Sequence, residues 1–212
     1  WMAKTHQRLL QVLPINDSTS THTWTDSYPY SCISIFALHP QYADLRQLPA
    51  LKDKLEADRF EVLREELNAL PQIDYERVNN AKLKYLRLLF EQEGKKVLAS
   101  KEFKTFFADC ERWLAPYAHY CYLRDFYGTC VFSEWPDHKQ WNEADRKALS
   151  NPKSELYNKV AFYYYMQFVL DQQMRSAHEY ARARGVILKG DIPIGVNRNG
   201  CDVWHEPEYF HL

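Results

Sequence analysis

Asp191 is the one acid in an otherwise apolar run. The stretch LKGDIPIGVNRNGCDVW, residues 188–204, follows Val186 and Ile187 and carries Leu188, Ile192, Ile194 and Val196. A carboxylate in the middle of a buried strand would lose its hydration at high cost unless paired. At the carboxyl end of a strand it faces a cleft instead, and there it accepts charge-assisted hydrogen bonds from ligand hydroxyls. The plainer alternative is an Asp that caps a turn or pairs with a neighbouring Arg. Far upstream, DSYPYS at residues 26–31 sets Ser27, Tyr28 and Tyr30 in a polar loop. A tyrosine combines an apolar ring face with a polar phenol tip. Against this stands the packing role that most of the 15 tyrosines must fill.

Other residues invite a functional reading and favour a structural one. Gly190 lets the backbone approach closely and Pro193 sets a strand-end turn. Asn197, Arg198 and Asn199 fit a solvated loop, and Asp202 and Trp204 follow on the same loop, Trp204 as a packing anchor or a stacking surface. The rings of residues 162–168 (FYYYMQF) cannot share one helix face, so most belong to the core. Gln167 and Gln172 read as packing or solvent-facing groups, Asp44 as a helix cap, and Lys82 and Lys84 as part of a solvated helix face.

The elements that position these groups follow from apolar spacing. Residues 9–15, LLQVLPI, read as a buried strand stopped by Pro14 and Asn16-Asp17. A polar loop of about sixteen residues follows, long enough to imply function. Residues 48–184 are mostly helical, with Phe60, Leu63, Leu67 and Leu70 on one face and Val78, Leu83, Leu86 and Phe90 on the next. Pro116 is expected to break or kink a helix and Gly128 to end it. Residues 132–142, FSEWPDHKQWN, form a Trp-rich loop. Asn151-Pro152 reads as the start of a helix running to Arg184. Gly185 supplies a left-handed cap, and residues 186–196 enter a strand at once. A helix, a glycine and an apolar strand in that order mark the junction of a parallel sheet.

Composition narrows the function classes. With 46% apolar residues the 212-residue chain can bury a core. Its net charge of −1, with interleaved signs, gives no electrostatic footprint for nucleic acid. No apolar run reaches transmembrane length and no signal peptide is visible. Five scattered cysteines without a CxxC pair fit a reducing cytosol. The eight histidines show no HxxxH or HExxH pairing, so no metal site is expected.

The motifs resemble those of a known family. LKGDIPIGVNRNGCDVWHEPEYFHL is similar to the strand-three region of the amylomaltases, the 4-alpha-glucanotransferases of glycoside hydrolase family 77. QVLPIND and DSYPYSCISIFALHPQYADL resemble their second strand and its loop, with one residue more than the Asp-Ser-Pro-Tyr form. FYYYMQFVLDQQMRSAHEYARARGVILKGD resembles the helix before strand three. The wording is closest to the disproportionating enzyme 2 branch. The likeness covers roughly residues 9–48 and 155–212 and is weak between them.

The resemblance implies an α/β fold: part of a TIM (β/α)8 barrel, its second and third strands, with a large helical insertion. Residues 1–48 would carry strand two and the active-site loop, 49–150 the insertion, and 151–212 the helix, strand three and its loop. It implies transfer of alpha-1,4-glucosyl units from maltose or maltooligosaccharide to a glucan by retaining double displacement, with carboxyl groups about 5–5.5 Å apart and no cofactor. Tyr30, Asp191, Ser27 and Tyr28 would bind substrate. No apolar strand ending in Arg-x-Asp-His occurs here, so the nucleophile, acid and stabilising carboxylates are expected beyond Leu212. The chain therefore reads as an inactive fragment of a cytoplasmic enzyme whose partners are glucan and the rest of its own polypeptide, with no nucleic acid and no membrane. Two alternatives stand beside this reading: a non-catalytic carbohydrate-binding or helical interaction module, and a hydrolase of the same clan.

Overall fold

Each long helix begins where an Asp or Ser side chain accepts from its first free N–H groups. Asp53 caps α1 (Lys54–Asn68), Asp74 caps α2 (Tyr75–Ala99), Ser100 caps α3 (Lys101–Tyr127) and Ser154 caps α5 (Glu155–Arg182). A cap of this type stabilises a helix by about 1 kcal/mol. Asn142 caps the shorter α4 (Glu143–Leu149), and α6 (Cys201–His205) follows Gly200. The structure, a computed structural model, describes residues 1–211.

Asn151-Pro152 does not open α5. Asn151 Oδ1 accepts from the Lys153 N–H in a turn, and Ser154, which accepts from the Tyr157 N–H, is the cap. Pro116 does not break α3, which runs through it to Gly128 at φ +70°. Gly185, also at φ +70°, closes α5 as expected. Its N–H donates to the Arg182 carbonyl and the Val186 N–H reaches back to Ala181, the paired bonds of a glycine-ended helix.

The core lies between α3 and α5, with α2 against α5. Phe103 and Phe106 of α3 meet Phe168 of α5 at ring distances of 5.6 and 5.5 Å, and Phe107 meets Tyr164 at 5.1 Å. Residues 162–168 are all buried, as their mixed facing requires. Each such ring contributes about 1.5–3 kcal/mol on leaving water. The Trp-rich loop is anchored by Trp135, fully buried, whose Nε1 donates to the Thr129 carbonyl. Lys82 departs from its expected solvated place. It is half-buried, its Nζ donates to the Gln41 carbonyl, and burial lowers its pKa.

The two strands are shorter and more open than their apolar runs imply. β1 (Leu9–Gln11) pairs in parallel with β2 (Ile187–Lys189), in the register Leu9 to Ile187, Leu10 to Leu188 and Gln11 to Lys189. Leu9 is 53% exposed and Ile187 63%, so residues 9–15 are not a buried strand. The reason is cover: α5 packs on β2, and the other described elements leave the remaining apolar face open. The run at 186–196 is strand only to Lys189. Asp191 therefore lies past the strand end, not inside it.

Candidate functional site

Parallel pairing sends both chains out of the sheet on the same side. The loop after β1 and the loop after β2 therefore meet. An isolated parallel bridge joins Cys32 to Val196, and the Asn197 N–H donates to the Cys32 carbonyl at 2.9 Å. Above that bridge Tyr30 Oη donates to Asp191 Oδ2 at 2.7 Å. The second oxygen of Asp191 accepts from the Ile192 N–H at 3.0 Å. Bonding to the carboxylate raises the Tyr30 pKa. The Tyr28 ring lies 5.8 Å from that of Tyr30, tilted 50°, and is 60% exposed.

Three of the four expected residues thus share one rim. Ser27 is half-buried at the end of the single helical turn Trp24–Ser27 and makes no side-chain hydrogen bond among the described residues. Pro193 is buried, whereas a Cβ added at Gly190 would meet nothing within 4 Å. The close approach expected at Gly190 occurs at Gly200. There an added Cβ would lie 2.9 Å from Ile33 Cα. Open surface surrounds residue 190, so nothing crowds it. Trp204 is 1% exposed and donates from Nε1 to the His138 carbonyl at 2.8 Å, so it anchors rather than stacks. Asp202 Oδ2 accepts from the Ile35 N–H at 2.8 Å and ties the two loops again.

The loop after β1 is built around two acids that apolar patterning does not reveal. Asp26, 3% exposed, accepts from Ser20 Oγ, from the Thr21 N–H and Oγ1 and from the His22 N–H. Asp17, 1% exposed, accepts from Tyr117 Oη at 2.6 Å and from the Thr19 N–H at 2.9 Å. The run of Asp, Ser and Thr at residues 17–27 is the signal, since such side chains fold loops through their own backbone.

A third acid fastens this loop to the helices. Asp125 accepts from Arg124, from Tyr163 Oη at 2.7 Å and from His22 Nε2 at 2.9 Å. Burial alone would raise its pKa. The His22 hydrogen bond and the Arg124 charge outweigh that and hold it well below the usual carboxylate range. A cavity of about 210 Å³ lies here, lined by Asp17, His22, Arg87, Arg124, Asp125 and Tyr163 among others.

A family profile described as 4-alpha-glucanotransferase matches residues 1–212. The 4-alpha-glucanotransferase DPE2 of Oryza sativa subsp. japonica is 39% identical over 214 residues, covering 100% of this chain and 22% of the rice protein. The 4-alpha-glucanotransferase of Chlamydia caviae is 30% identical over 211 residues, covering 99% of this chain and 38% of its own. The chain thus spans well under half of either relative. Among solved structures, the amylomaltase from Streptococcus agalactiae in complex with acarbose superposes with a TM-score of 0.74 at 20% identity. It covers 100% of this chain and 41% of that one. That likeness concerns the fold. No helix among the described residues is long and apolar enough to cross a membrane.

Proposed function

The chain belongs to the 4-alpha-glucanotransferase family, glycoside hydrolase family 77, and from that premise we propose that the whole protein moves alpha-1,4-glucosyl units from maltose or a maltooligosaccharide to a glucan acceptor. The reaction is a retaining double displacement in the cytosol. A carboxylate forms a glucosyl-enzyme intermediate, an acid protonates the departing oxygen, and a sugar hydroxyl takes the place of water. These groups come from the rest of the polypeptide, because no Arg-x-Asp-His motif occurs in the sequence. β1 and β2 are the second and third barrel strands, residues 49–150 the insertion, and residues 151–212 the following helix, strand and loop, of which Leu212 lies outside the described residues. The exposed Leu9, Leu13, Ile187, Ile192 and Ile194 support a barrel that continues over this face.

One observation carries the reading: the 2.7 Å bond from Tyr30 to Asp191, at the side of the sheet where both strands end. Barrel enzymes build their sites there. Tyr30 uses its hydroxyl hydrogen on Asp191, which leaves its ring face and oxygen lone pairs for a sugar. Asp191 keeps acceptor capacity for sugar hydroxyls, and such charge-assisted bonds are the stronger ones. Tyr28 extends the aromatic edge, and Ser27, next to it in the chain, adds a hydroxyl with no other side-chain bond among the described residues.

Maltose and glycogen incubated with the whole protein test the reading. Glucose release is expected, with loss on Asp191→Asn. The 212-residue chain alone is expected to release none. Full activity in Asp191→Asn, or glucose from the 212-residue chain alone, would overturn it.

A further inference from the structure

We propose that His119, His138 and Asp145 form a zinc-binding site that ties α3, the Trp-rich loop and α4 together, with its fourth position open to water. One donor atom from each residue lies within 4.8 Å of the other two. Two imidazoles and one carboxylate are a ligand set that suits Zn²⁺ and leaves an open tetrahedral position. Mg²⁺ and Ca²⁺ prefer oxygen cages and are disfavoured. Donors around zinc sit roughly 3.3–3.6 Å apart for bonds of ~2.0–2.2 Å. Closing the present spacing takes a movement of about 1 Å, which the exposed His138 side chain can supply.

One feature beyond the spacing points at a ligand. His119 is 1% exposed, yet its Nδ1 has no hydrogen-bond partner. A buried polar atom left unpaired is costly and calls for a reason. His138 holds a left-handed backbone at φ +62°, uncommon for a residue with a Cβ. Backbone of that kind persists where its surroundings hold it, and it gathers at functional positions. The Trp204 indole supplies that hold through its bond to the His138 carbonyl. The His119 and His138 rings lie 5.3 Å apart, walled by Trp141 and Trp204 at 6.1 and 5.8 Å from His119. One side of the site is therefore apolar, and such a wall limits the access of solvent to a bound ion. The three ligands come from three separate elements, so no sequence spacing announces them.

The test titrates Zn²⁺ alone into the metal-stripped protein against a chelator that changes colour on binding. One Zn²⁺ per chain is expected, together with a higher melting temperature that Mg²⁺ does not reproduce. Co²⁺ in its place should give the visible bands of a four-coordinate ion. His138→Ala and Asp145→Asn lie outside the core, so the fold should survive, as circular dichroism checks. Each should weaken binding at least about tenfold. His178→Ala, exposed on α5, should change nothing. No stoichiometric binding would overturn the proposal. So would undiminished binding in the His138→Ala, Asp145→Asn double variant, or equal loss in His178→Ala.

Discussion

The Gln167 side chain engages both backbone groups of Leu38. Its Oε1 accepts from the Leu38 N–H at 2.9 Å and its Nε2 donates to the Leu38 carbonyl at 2.8 Å. Six residues further along α5, Gln173 repeats the arrangement on Asp44, at 2.8 and 2.9 Å. Two amides on one helix thus act as strand substitutes for a segment that belongs to no sheet. The first is fully buried and the second is partly open. Gln167→Leu should cost about 2–4 kcal/mol, since it strands two polar groups of Leu38. Gln173→Leu should cost less, because water replaces its bonds. Urea unfolding of both variants decides, and an equal or larger loss at residue 173 would contradict the burial argument.

Gly200→Ala should destabilise by roughly 1–3 kcal/mol, the range for forcing atoms into a packed site. The new Cβ would lie 2.9 Å from Ile33 Cα and 3.0 Å from its carbonyl oxygen, and backbone cannot step aside as a side chain can. Gly190→Ala meets open space and should be nearly neutral. Paired denaturant curves for the two variants distinguish crowding from a general need for glycine in this loop.

Asp125→Asn should remove about 2–4 kcal/mol near neutral pH, because it takes from the Arg124 guanidinium, 5% exposed, the carboxylate it is bonded to. The pH dependence has a definite sign. The folded pKa of Asp125 is depressed by His22 and Arg124. Its contribution is therefore complete above the unfolded value near 3.9 and fades as pH falls through the lower folded value. The stability gap between the native protein and Asp125→Asn should narrow from about pH 5 downward. Curves that stay parallel would remove the carboxylate from the account.

Tyr30→Phe and Asp191→Asn should each lower kcat/KM for glucosyl transfer in the whole protein by about tenfold or more, the worth of one lost charge-assisted bond. The double variant should lose less than the product of the two, because both changes remove the same hydrogen bond. Tyr28→Ala should act mainly on KM, since its ring sits at the exposed edge. Strict multiplication of the two single losses would show that Tyr30 and Asp191 act separately.

Local chemistry was legible where it is settled within a few residues. Asp44 caps its turn as its type predicts, Gly128 and Gly185 end their helices, and residues 162–168 lie in the core. The start of α5 was not, because Asn151-Pro152 and Ser154 are both sound caps and only packing chose between them. Strand length escaped for the same reason. Apolar residues 9–15 state a preference for burial, and whether it is met depends on what lies opposite.

By itself, then, the sequence determined the order of the main helices and the two strands, the glycines that end α3 and α5, and the family, through short-range sterics and motifs of unusual wording. Tertiary structure alone decided what long-range closure controls. It set the parallel register of Leu9 with Ile187, the gathering of Asp17, Asp26 and Asp125 around one loop, the swap of crowding from Gly190 to Gly200, and the meeting of His119 with His138 and Asp145. Those contacts join segments that no periodicity links, and their energy exists only once the intervening chain has surrendered its entropy.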